Sequence, residues 1–477
     1  MASYTSPHFD LFTDPPKDES TTEYEYIEYL PRNSNDMNKD QHIIETKDLD
    51  EYLLPHKALL EVRGRLVKAA DDSNYDPDDI ITLSNNGWSL FKTVEYQLDN
   101  NMVEKVDSHV PQASTILNLV QFSDDYGRSS ATIMLWYKDP GTGQASPNEF
   151  RDSGALLPVN PITDVTALTG KNFRDNFQTG ALKNPAYNTG FRARQLITTG
   201  NKDTTMLLPL SSLLGFSKDI DTVFMGVKHT LNLTRESSAN YIHRANGVDP
   251  GRFDIKHLSL WIPKGRPSLQ LASKIESKLV KSTLRDLYFE QVRVYRNQYG
   301  STETNPSWRV TTRSNEELPT HIFFAIQAAN RSGNEEQNNQ VFDNADLRSL
   351  SVYINSDRFP ERDLDMNFSP ATRSYTRAYM LFQEAIQKYA DTDSGSQVSV
   401  EDFASLYTII HVDVSKHKEK LRNSSADIEL RWRLGKPFEF PTGTAASYQT
   451  ICLILSERHL KLNGMNGKMS VVVQEKR

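Results

Sequence analysis

Cysteine is almost absent from this sequence, because only one of its 477 residues, Cys452, is a cysteine. A lone cysteine excludes an internal disulfide framework and a zinc site built from cysteines. Cys452 lies in the apolar run 451–455, where a free thiol packs as a small hydrophobic side chain. We therefore predict a buried thiol, and we expect the stability of the fold to come from packing.

Long apolar runs are also missing. No stretch of about 18 apolar residues offers a transmembrane helix. Residues 1–14 lack the basic region followed by an apolar region that marks a secretory signal. We expect no membrane span, and we expect synthesis in the cytosol.

Dense runs of positive charge are missing as well. The chain has 54 Lys and Arg residues against 62 Asp and Glu residues, a net charge of −8, and no dense basic run. A protein that neutralises many phosphates needs clustered lysines and arginines. Tight direct binding to nucleic acid is therefore not expected.

The dominant pattern in the sequence is an alternation with period two, which is typical of half-buried strands. It runs through residues 60–66, 223–233 and 428–434, and residues 322–328 are predicted to form a strand buried on both faces. The length predicts two or three domains of roughly 100 to 200 residues each. These features predict a mostly β fold with antiparallel strands.

Helical spacing is confined to short connections, at 113–122 and at 372–390. In the second, apolar residues share one stripe: Tyr375, Ala378, Tyr379, Phe382, Ala385, Ile386 and Tyr389. Turn-forming residues cluster in five segments: 139–147, 247–251, 263–268, 332–339 and 391–396. The cluster at 263–268 lies near the middle of the chain and is predicted to separate two domains.

One segment of the first half recurs in the second half. Residues 94–101 superpose on residues 350–357, with apolar residues matching at three alternate positions. In both copies a strand precedes a polar turn, a return strand and a helical stretch. This shared order favours an internal duplication. Two tandem antiparallel β-sandwiches with short helices in the connections are typical of a double jelly roll.

Several motifs occur in a fixed order along the chain. Residues 10–16 read Asp-Leu-Phe-Thr-Asp-Pro-Pro, residues 89–100 read Ser-Leu-Phe-Lys-Thr-Val-Glu-Tyr-Gln-Leu-Asp-Asn, and residues 342–347 read Phe-Asp-Asn-Ala-Asp-Leu. In this order the motifs resemble those of the double jelly-roll major capsid proteins of Polinton (Maverick) elements and adintoviruses. The sequence departs from that family at 108–112, which keeps only the proline, and in an acidic insertion at 33–50.

The resemblance implies a structural shell protein rather than an enzyme, with no cofactor. It implies an N-terminal arm (1–25), a first jelly roll (26–266) and a second jelly roll (267–477). It further implies homotrimeric, pseudo-hexameric capsomers that build an icosahedral capsid around double-stranded DNA, and a single jelly-roll penton protein as partner. The protein would be made in the host cytosol and located in the virion. The loops at 139–189 and 235–253 are expected to form the contacts between subunits.

Residues that could suggest chemistry have simpler interpretations. Residues 141–144 and 464–468 contain glycines but lack the spacing and context of nucleotide-binding loops. His411 and Asp413, with His417 nearby, are interpreted as a surface patch, because no set of three or four metal ligands converges there. His229 is interpreted as a core histidine. We therefore assign no catalytic, cofactor-binding or metal-binding residue.

Acidic pairs and glycosylation patterns are likewise given no role. The paired carboxylates at 71–72, 78–79, 124–125 and 335–336 are predicted to be solvated, and the patterns at Asn232, Asn330 and Asn423 are attributed to chance.

Two other functions stay open. One is a monomeric carbohydrate-binding or glycan-cleaving β-sandwich, since two carboxylates could face each other across a cleft. The other is a minor capsid or vertex protein, which normally has one jelly roll.

Overall fold

The computed structural model describes most of the chain. The described residues are 21–32, 36–47, 50–77, 79–139, 151–152, 155–156, 189–244, 247–280, 285–310, 318–355, 357–368, 372, 374–389, 395–416, 427–438, 447–465 and 468–473.

Two antiparallel sheets form from eight strands of the first half. These strands are β1 (Thr21–Tyr29), β2 (Gln41–Glu45), β3 (Leu59–Lys68), β4 (Phe91–Leu98), β5 (Asn101–Asp107), β6 (Thr204–Pro209), β7 (His229–Arg235) and β8 (Gly251–Pro267). One sheet has the order β1-β8-β3-β6, and the other has the order β2-β7-β4-β5. The short strands Tyr52–Leu53 and Phe224–Met225 extend the first sheet beside β8.

Eight strands of the second half repeat this arrangement. They are β9 (Arg285–Gly300), β10 (Ser307–Val310), β11 (Pro319–Ala328), β12 (Leu347–Ile354), β13 (Asp357–Phe359), β14 (Ile409–Asp413), β15 (Ile428–Leu434) and β16 (Ser447–Met465). Their sheets have the orders β9-β16-β11-β14 and β10-β15-β12-β13, so each strand corresponds to the strand eight labels earlier. Lys468–Val473 adds a further strand to β16.

The predicted repeat coincides with this correspondence. β12 begins and ends 256 positions after β4, and β13 begins 256 positions after β5. Both hairpins turn on a residue with a left-handed backbone, Asp99 (φ 49°) and Asn355 (φ 54°). A short polar side chain tolerates that conformation better than most others. The polar turns in the sequence therefore marked equivalent hairpins.

Side-chain burial confirms the predicted alternation. Val94, Tyr96 and Leu98 on β4 are buried, and so are their counterparts Leu350, Val352 and Ile354 on β12. Residues of β3 and β15 alternate between buried and more exposed positions as predicted, and every residue of β11 is buried. In the second half, Trp432 of β15 joins the two sheets, because its ring packs 5.1 Å from Phe324 of β11 and 5.0 Å from Tyr299 of β9, centroid to centroid.

The strand predicted across residues 223–233 is confirmed from His229 onward, where Leu231 and Leu233 are buried as predicted, but its continuity through residues 223–228 is wrong. Gly226 has φ 75°, a left-handed conformation that ends a strand. Phe224–Met225 pairs with Tyr52–Leu53, whereas β7 pairs with β2 and β4 in the other sheet. Consequently Phe224 is buried, not Val223 or Met225.

The break predicted at 263–268 is also wrong at the level of secondary structure. β8 continues through Pro263 to Pro267 and pairs there with β1, with Tyr26 opposite Pro263. A strand tolerates proline where the ladder does not need its nitrogen. Helix Leu269–Val280 follows, and β9 begins at Arg285. The domain division at 266/267 stays a prediction, and residues 1–20 of the predicted arm lie outside the described residues.

Helices occupy the connections. The longer ones are α1 (Val110–Gln121), α2 (Thr189–Thr198), α3 (Leu269–Val280) and α4 (Thr376–Tyr389). Shorter α-helices span Asp124–Arg128, Gly215–Asp219, Ser238–Tyr241 and Val400–Ser405, and 3-10 turns span Pro55–Lys57, Gly87–Leu90, Ser130–Met134, Leu210–Ser212 and Ala329–Arg331. Two-residue strands at Arg151–Asp152 and Ala155–Leu156 pair with each other, and Ile81–Leu83 pairs with Ile242–Arg244. α1 and α4 match the two predicted helical stretches.

Each half is therefore an eight-stranded sandwich of two antiparallel sheets with the strand order of a jelly roll. The predicted fold class, a double jelly roll with short helices in the connections, is confirmed.

Candidate functional site

The described residues contain no cluster of three or more His, Cys, Asp or Glu side chains that could hold a metal ion. No helix within the described part of the chain has the length and apolarity needed to cross a membrane.

His229 is a core histidine, as predicted. Its side chain is buried, and Nδ1 lies 2.6 Å from the Tyr96 hydroxyl oxygen. Burial lowers the pKa of His229 to about 3, so the ring is neutral at physiological pH. The hydrogen bond with Tyr96 of β4 explains how His229 is tolerated on the buried face of β7.

The surface patch predicted at His411 and Asp413 is wrong for the histidine. Asp413 is exposed, but His411 is 3% exposed and lies beneath α4. His411 and Asp413 therefore do not form one solvent-exposed face, because α4 covers His411. His417 lies outside the described residues.

The carboxylate pairs differ from one another. Asp71 and Asp72 lie in an exposed turn, as predicted. Glu335, in contrast, is buried, and one of its carboxylate oxygens lies 2.6 Å from Nε of Arg244. The prediction that Glu335–Glu336 is solvated is therefore wrong for Glu335. Asp78 lies outside the described residues.

The remaining candidate motifs lie in strands, in a 3-10 turn or outside the described residues. Asn232 lies within β7 and Asn330 within a 3-10 turn. Gly464 belongs to β16 and the segment 466–467 is not described. The segments 141–144 and 423–425 also fall outside the described residues.

Cys452 is fully buried on β16, opposite Tyr295 on one side and Phe324 on the other. Burial raises the pKa of its thiol above the usual range, so the reactive thiolate is disfavoured. The predicted core thiol is confirmed.

Cys452→Ser is expected to leave the oligomeric state unchanged and to lower the free energy of unfolding by about 1 to 3 kcal/mol, because it buries a hydroxyl without a partner. Urea denaturation measures the stability loss and light scattering measures the oligomer. Loss of assembly by a folded variant would contradict this prediction.

A buried carboxylate joins the two sandwiches. Glu104 on β5 is 0% exposed and accepts three backbone hydrogen bonds. Two donors, Gly215 N (3.2 Å) and Phe216 N (2.9 Å), belong to the first half, and the third, Val292 N (2.9 Å), belongs to β9 of the second half. Burial raises the pKa of Glu104 to about 7, while these hydrogen bonds and the charge of Arg458 oppose that rise.

The helix Gly215–Asp219 lies directly against β9. The backbone N of Glu290 donates to the Asp219 carboxylate at 2.8 Å. A Cβ atom added to Gly215 would lie 1.7 Å from the carbonyl oxygen of Glu290, so no larger residue fits without separating the two elements. The sandwiches are in close backbone contact at this junction.

The loops form a second junction around a buried ion pair. Arg194 on α2 and Asp139 have side chains that are 0% and 3% exposed, and Arg194 Nη2 lies 3.0 Å from Asp139 Oδ1. From the second half, Asn338 Nδ2 donates to Asp139 Oδ2 at 3.0 Å, and the Tyr407 hydroxyl donates to the Asp139 carbonyl at 2.9 Å. Asp139 thus ties loops from both halves together.

Gln397 of the second half makes a similar connection. Its Oε1 accepts from Trp136 Nε1 at 2.8 Å, and its Nε2 donates to the carbonyls of Asn118 (3.1 Å) and Phe122 (3.0 Å). Gln397 is buried, so its full complement of partners avoids the cost of unpaired polar atoms.

A partly open cavity of about 580 Å³ lies beside these junctions. Its lining comes from both halves and includes Phe122, Tyr126, Lys218 and Tyr389. The Lys218 ammonium lies 4.3 Å from the centroid of the Tyr389 ring.

Sequence reasoning missed these junction residues. Glu104 follows the apolar Val103, and nothing in the alternation of β5 marks it as buried. Asp139 lies in a segment that reads as an ordinary polar loop. Each side chain is buried by elements distant in sequence, and a single sequence carries no local signal for that.

The chain also resembles known proteins. The sequence profile of a family described as a double jelly roll-like domain matches residues 167–460. No curated protein is similar enough to match the sequence.

Solved structures of viral proteins share the fold at low identity. A chain from the cryo-EM structure of the Sputnik virophage aligns with a TM-score of 0.58 and 8% identity, covering 99% of this chain and 93% of that one. The Faustovirus major capsid protein aligns with a TM-score of 0.54 and 9% identity, covering 95% and 92%. The mavirus major capsid protein aligns with a TM-score of 0.50 and 9% identity, covering 98% and 93%. These likenesses concern the fold.

Proposed function

Because the chain belongs to the double jelly roll-like domain family, we propose that it is the major capsid protein of a DNA virus or virus-like transposon related to Polintons (Mavericks) and adintoviruses. In this role it catalyses nothing and needs no cofactor. Its work is self-association into the shell of a virion that encloses double-stranded DNA.

The observation that carries this proposal is the strand order, which occurs twice in one chain. Three subunits of such a chain present six similar sandwiches, which can tile a shell as hexagons although the true symmetry is threefold. A cyclic trimer closes through heterologous contacts and thereby avoids open filaments.

The junctions between the sandwiches support the same proposal. A subunit that packs into a closed shell needs its two sandwiches at a fixed angle. Glu104, Asp139 and Gln397 each form a buried hydrogen bond that connects the two halves. Within the loop predicted at 235–253, residues 241–243 and Phe253 are buried, which leaves exposed residues such as Ser237, Asp249 and Pro250 for contacts between subunits. Most of the loop at 139–189 lies outside the described residues.

The partners follow from this role. A single jelly-roll penton protein would occupy the vertices, where five neighbours meet. With a net charge of −8, the chain would enclose DNA without binding it tightly. Synthesis in the host cytosol and assembly into a virion complete the proposal.

The purified protein is expected to be a homotrimer. Light scattering should report three times 54.3 kDa, or larger assemblies of that unit, because permanent interfaces bury roughly 2,000 to 5,000 Å² and persist on dilution. Negative-stain images should show particles with a hexagonal outline. A stable monomer at micromolar concentration would contradict the capsid function and favour the carbohydrate-binding alternative.

A vertex or minor capsid role is the less favoured alternative, because such a protein normally has one jelly roll and this chain has two. Assembly that requires a second, double jelly-roll protein would support it.

A further inference from the structure

Two histidines lie side by side beneath α4. His321 on β11 and His411 on β14 are 2% and 3% exposed, and their rings stack with centroids 5.2 Å apart. His321 Nδ1 lies 3.0 Å from His411 Nε2, and His411 Nδ1 lies 2.9 Å from the carbonyl oxygen of Leu381 on α4. Lys388, also on α4, contacts His321 Nε2.

The positions of the protons follow from these contacts. The Lys388 ammonium only donates, so His321 Nε2 is an acceptor and the proton of that ring must lie on Nδ1. His321 Nδ1 then donates to His411 Nε2, and His411 Nδ1 carries the proton that the Leu381 carbonyl accepts. Both rings are therefore neutral, and an added proton on either ring breaks one hydrogen bond.

The chain of contacts continues to Glu290 on β9. Lys388 Nζ lies 3.3 Å from Glu290 Oε1, and the Tyr389 hydroxyl donates to Glu290 Oε2 at 2.8 Å. We call the Leu381 carbonyl, His411, His321, Lys388 and Glu290 the histidine relay. Three of its contacts end on α4, so the relay holds this helix against the strands.

We propose that the histidine relay is an acid-sensitive switch, in which protonation of its histidines releases α4 from β11 and β14. α4 packs close to α1 of the first sandwich, and Tyr389 lines the cavity between the two halves. Release of α4 would therefore loosen the contact between the sandwiches. The switch belongs to the chain itself and does not depend on the proposed assembly.

Charged groups from every neighbouring element face the two histidines. Asp413 of β14 lies 4.0 Å from His321 Nδ1, and this carboxylate and Glu290 of β9 favour a protonated ring. Lys388 of α4 opposes it. Lys218 and Asp219, from the helix before β7, interact with Glu290. Burial outweighs each of these charges in its effect on the two histidines.

Burial, together with Lys388 and the neighbouring ring, lowers the pKa of His321 to about 4, and burial also lowers the pKa of His411. A released histidine has its ordinary pKa of about 6.5. The closed state is therefore fully favoured above pH 6.5, and this preference is lost as the pH falls from about 6.5 towards 4. Between pH 7 and pH 5, release of His321 therefore raises the open population about twentyfold, and release of His411 acts in the same direction.

Hydrogen exchange of the purified protein, corrected for the intrinsic rate at each pH, tests this proposal. Amides of α4 should lose protection at least about twentyfold between pH 7 and pH 5, while those of β6 in the first sandwich, which pairs with the histidine-free strand β3, should not. His321→Gln removes one titrating site, so the loss should be about twentyfold smaller than in the wild type. His229→Gln removes a buried histidine that does not touch α4, and it should keep the wild-type response.

Lys388→Met provides a second test at a half-exposed position. Without the ammonium a protonated His321 can pair with Glu290, so the loss of α4 protection between pH 7 and pH 5 should shrink at least threefold. Parallel loss of protection in α4 and β6 would overturn the proposal. An unchanged response in either His321→Gln or Lys388→Met would also overturn it.

Discussion

Arg194→Met is expected to lower the free energy of unfolding by about 3 to 5 kcal/mol, because it leaves a buried carboxylate without its counterion. The Arg194 guanidinium also donates to the carbonyls of Leu83 (3.2 Å) and Tyr137, so three acceptors lose their donor together. Asp139 would keep the Asn338 amide. One neutral donor does not offset the desolvation of a carboxylate that is 3% exposed.

Urea denaturation followed by the fluorescence of the five tryptophans measures this loss. Arg128→Met is the matched control, since Arg128 also pairs with an aspartate, Asp124, but is 78% exposed. Exposed pairs contribute little, so the control should stay within about 0.5 kcal/mol of the wild type. Equal losses of stability in Arg194→Met and Arg128→Met would show that the buried ion pair contributes no more to stability than the exposed one.

The same pair allows a compensating substitution. Adding Asp139→Leu to Arg194→Met removes the unpaired carboxylate, and the double variant should recover part of the lost stability. No recovery would mean that the backbone acceptors, rather than Asp139, account for the loss.

Much of the fold could be predicted from the sequence, because strand burial leaves a local pattern. The side chains of Val94, Tyr96 and Leu98 alternate with polar ones, and a sheet buried on one face requires that alternation. The duplication was visible because β4 and β12 keep the same pattern and the same polar turn.

Other features depend on distant parts of the chain and leave no such pattern. Gly226 follows the end of one strand, and the next strand begins at His229 in a different sheet, a break that the continuous alternation conceals. His411 looks like a surface residue on its strand, but α4 covers it. The junction residues are buried only because two sandwiches meet. Position in the assembled chain, rather than local propensity, sets their environment.

Glu104→Ala is expected to lower the free energy of unfolding by roughly 3 to 5 kcal/mol, because three buried backbone N–H groups lose their acceptor. One of these donors, Val292, lies on β9 of the second half, so the variant should also weaken the coupling between the sandwiches. Calorimetry should show one unfolding transition for the wild type and two for Glu104→Ala, since each half has its own pair of sheets.

Glu104→Gln separates the loss of hydrogen bonds from the loss of volume. The amide oxygen of glutamine can accept from Val292 N and Gly215 N as Oε1 of Glu104 does, but its NH₂ group would face Phe216 N, a second donor. This variant should therefore lose about 1 to 3 kcal/mol, less than Glu104→Ala. Glu25→Ala removes an exposed carboxylate from β1 and should stay within about 0.5 kcal/mol of the wild type. If Glu104→Ala unfolded in one transition with the stability of Glu25→Ala, the buried carboxylate could not be what couples the two sandwiches, and the loop junction around Asp139 would have to hold them together.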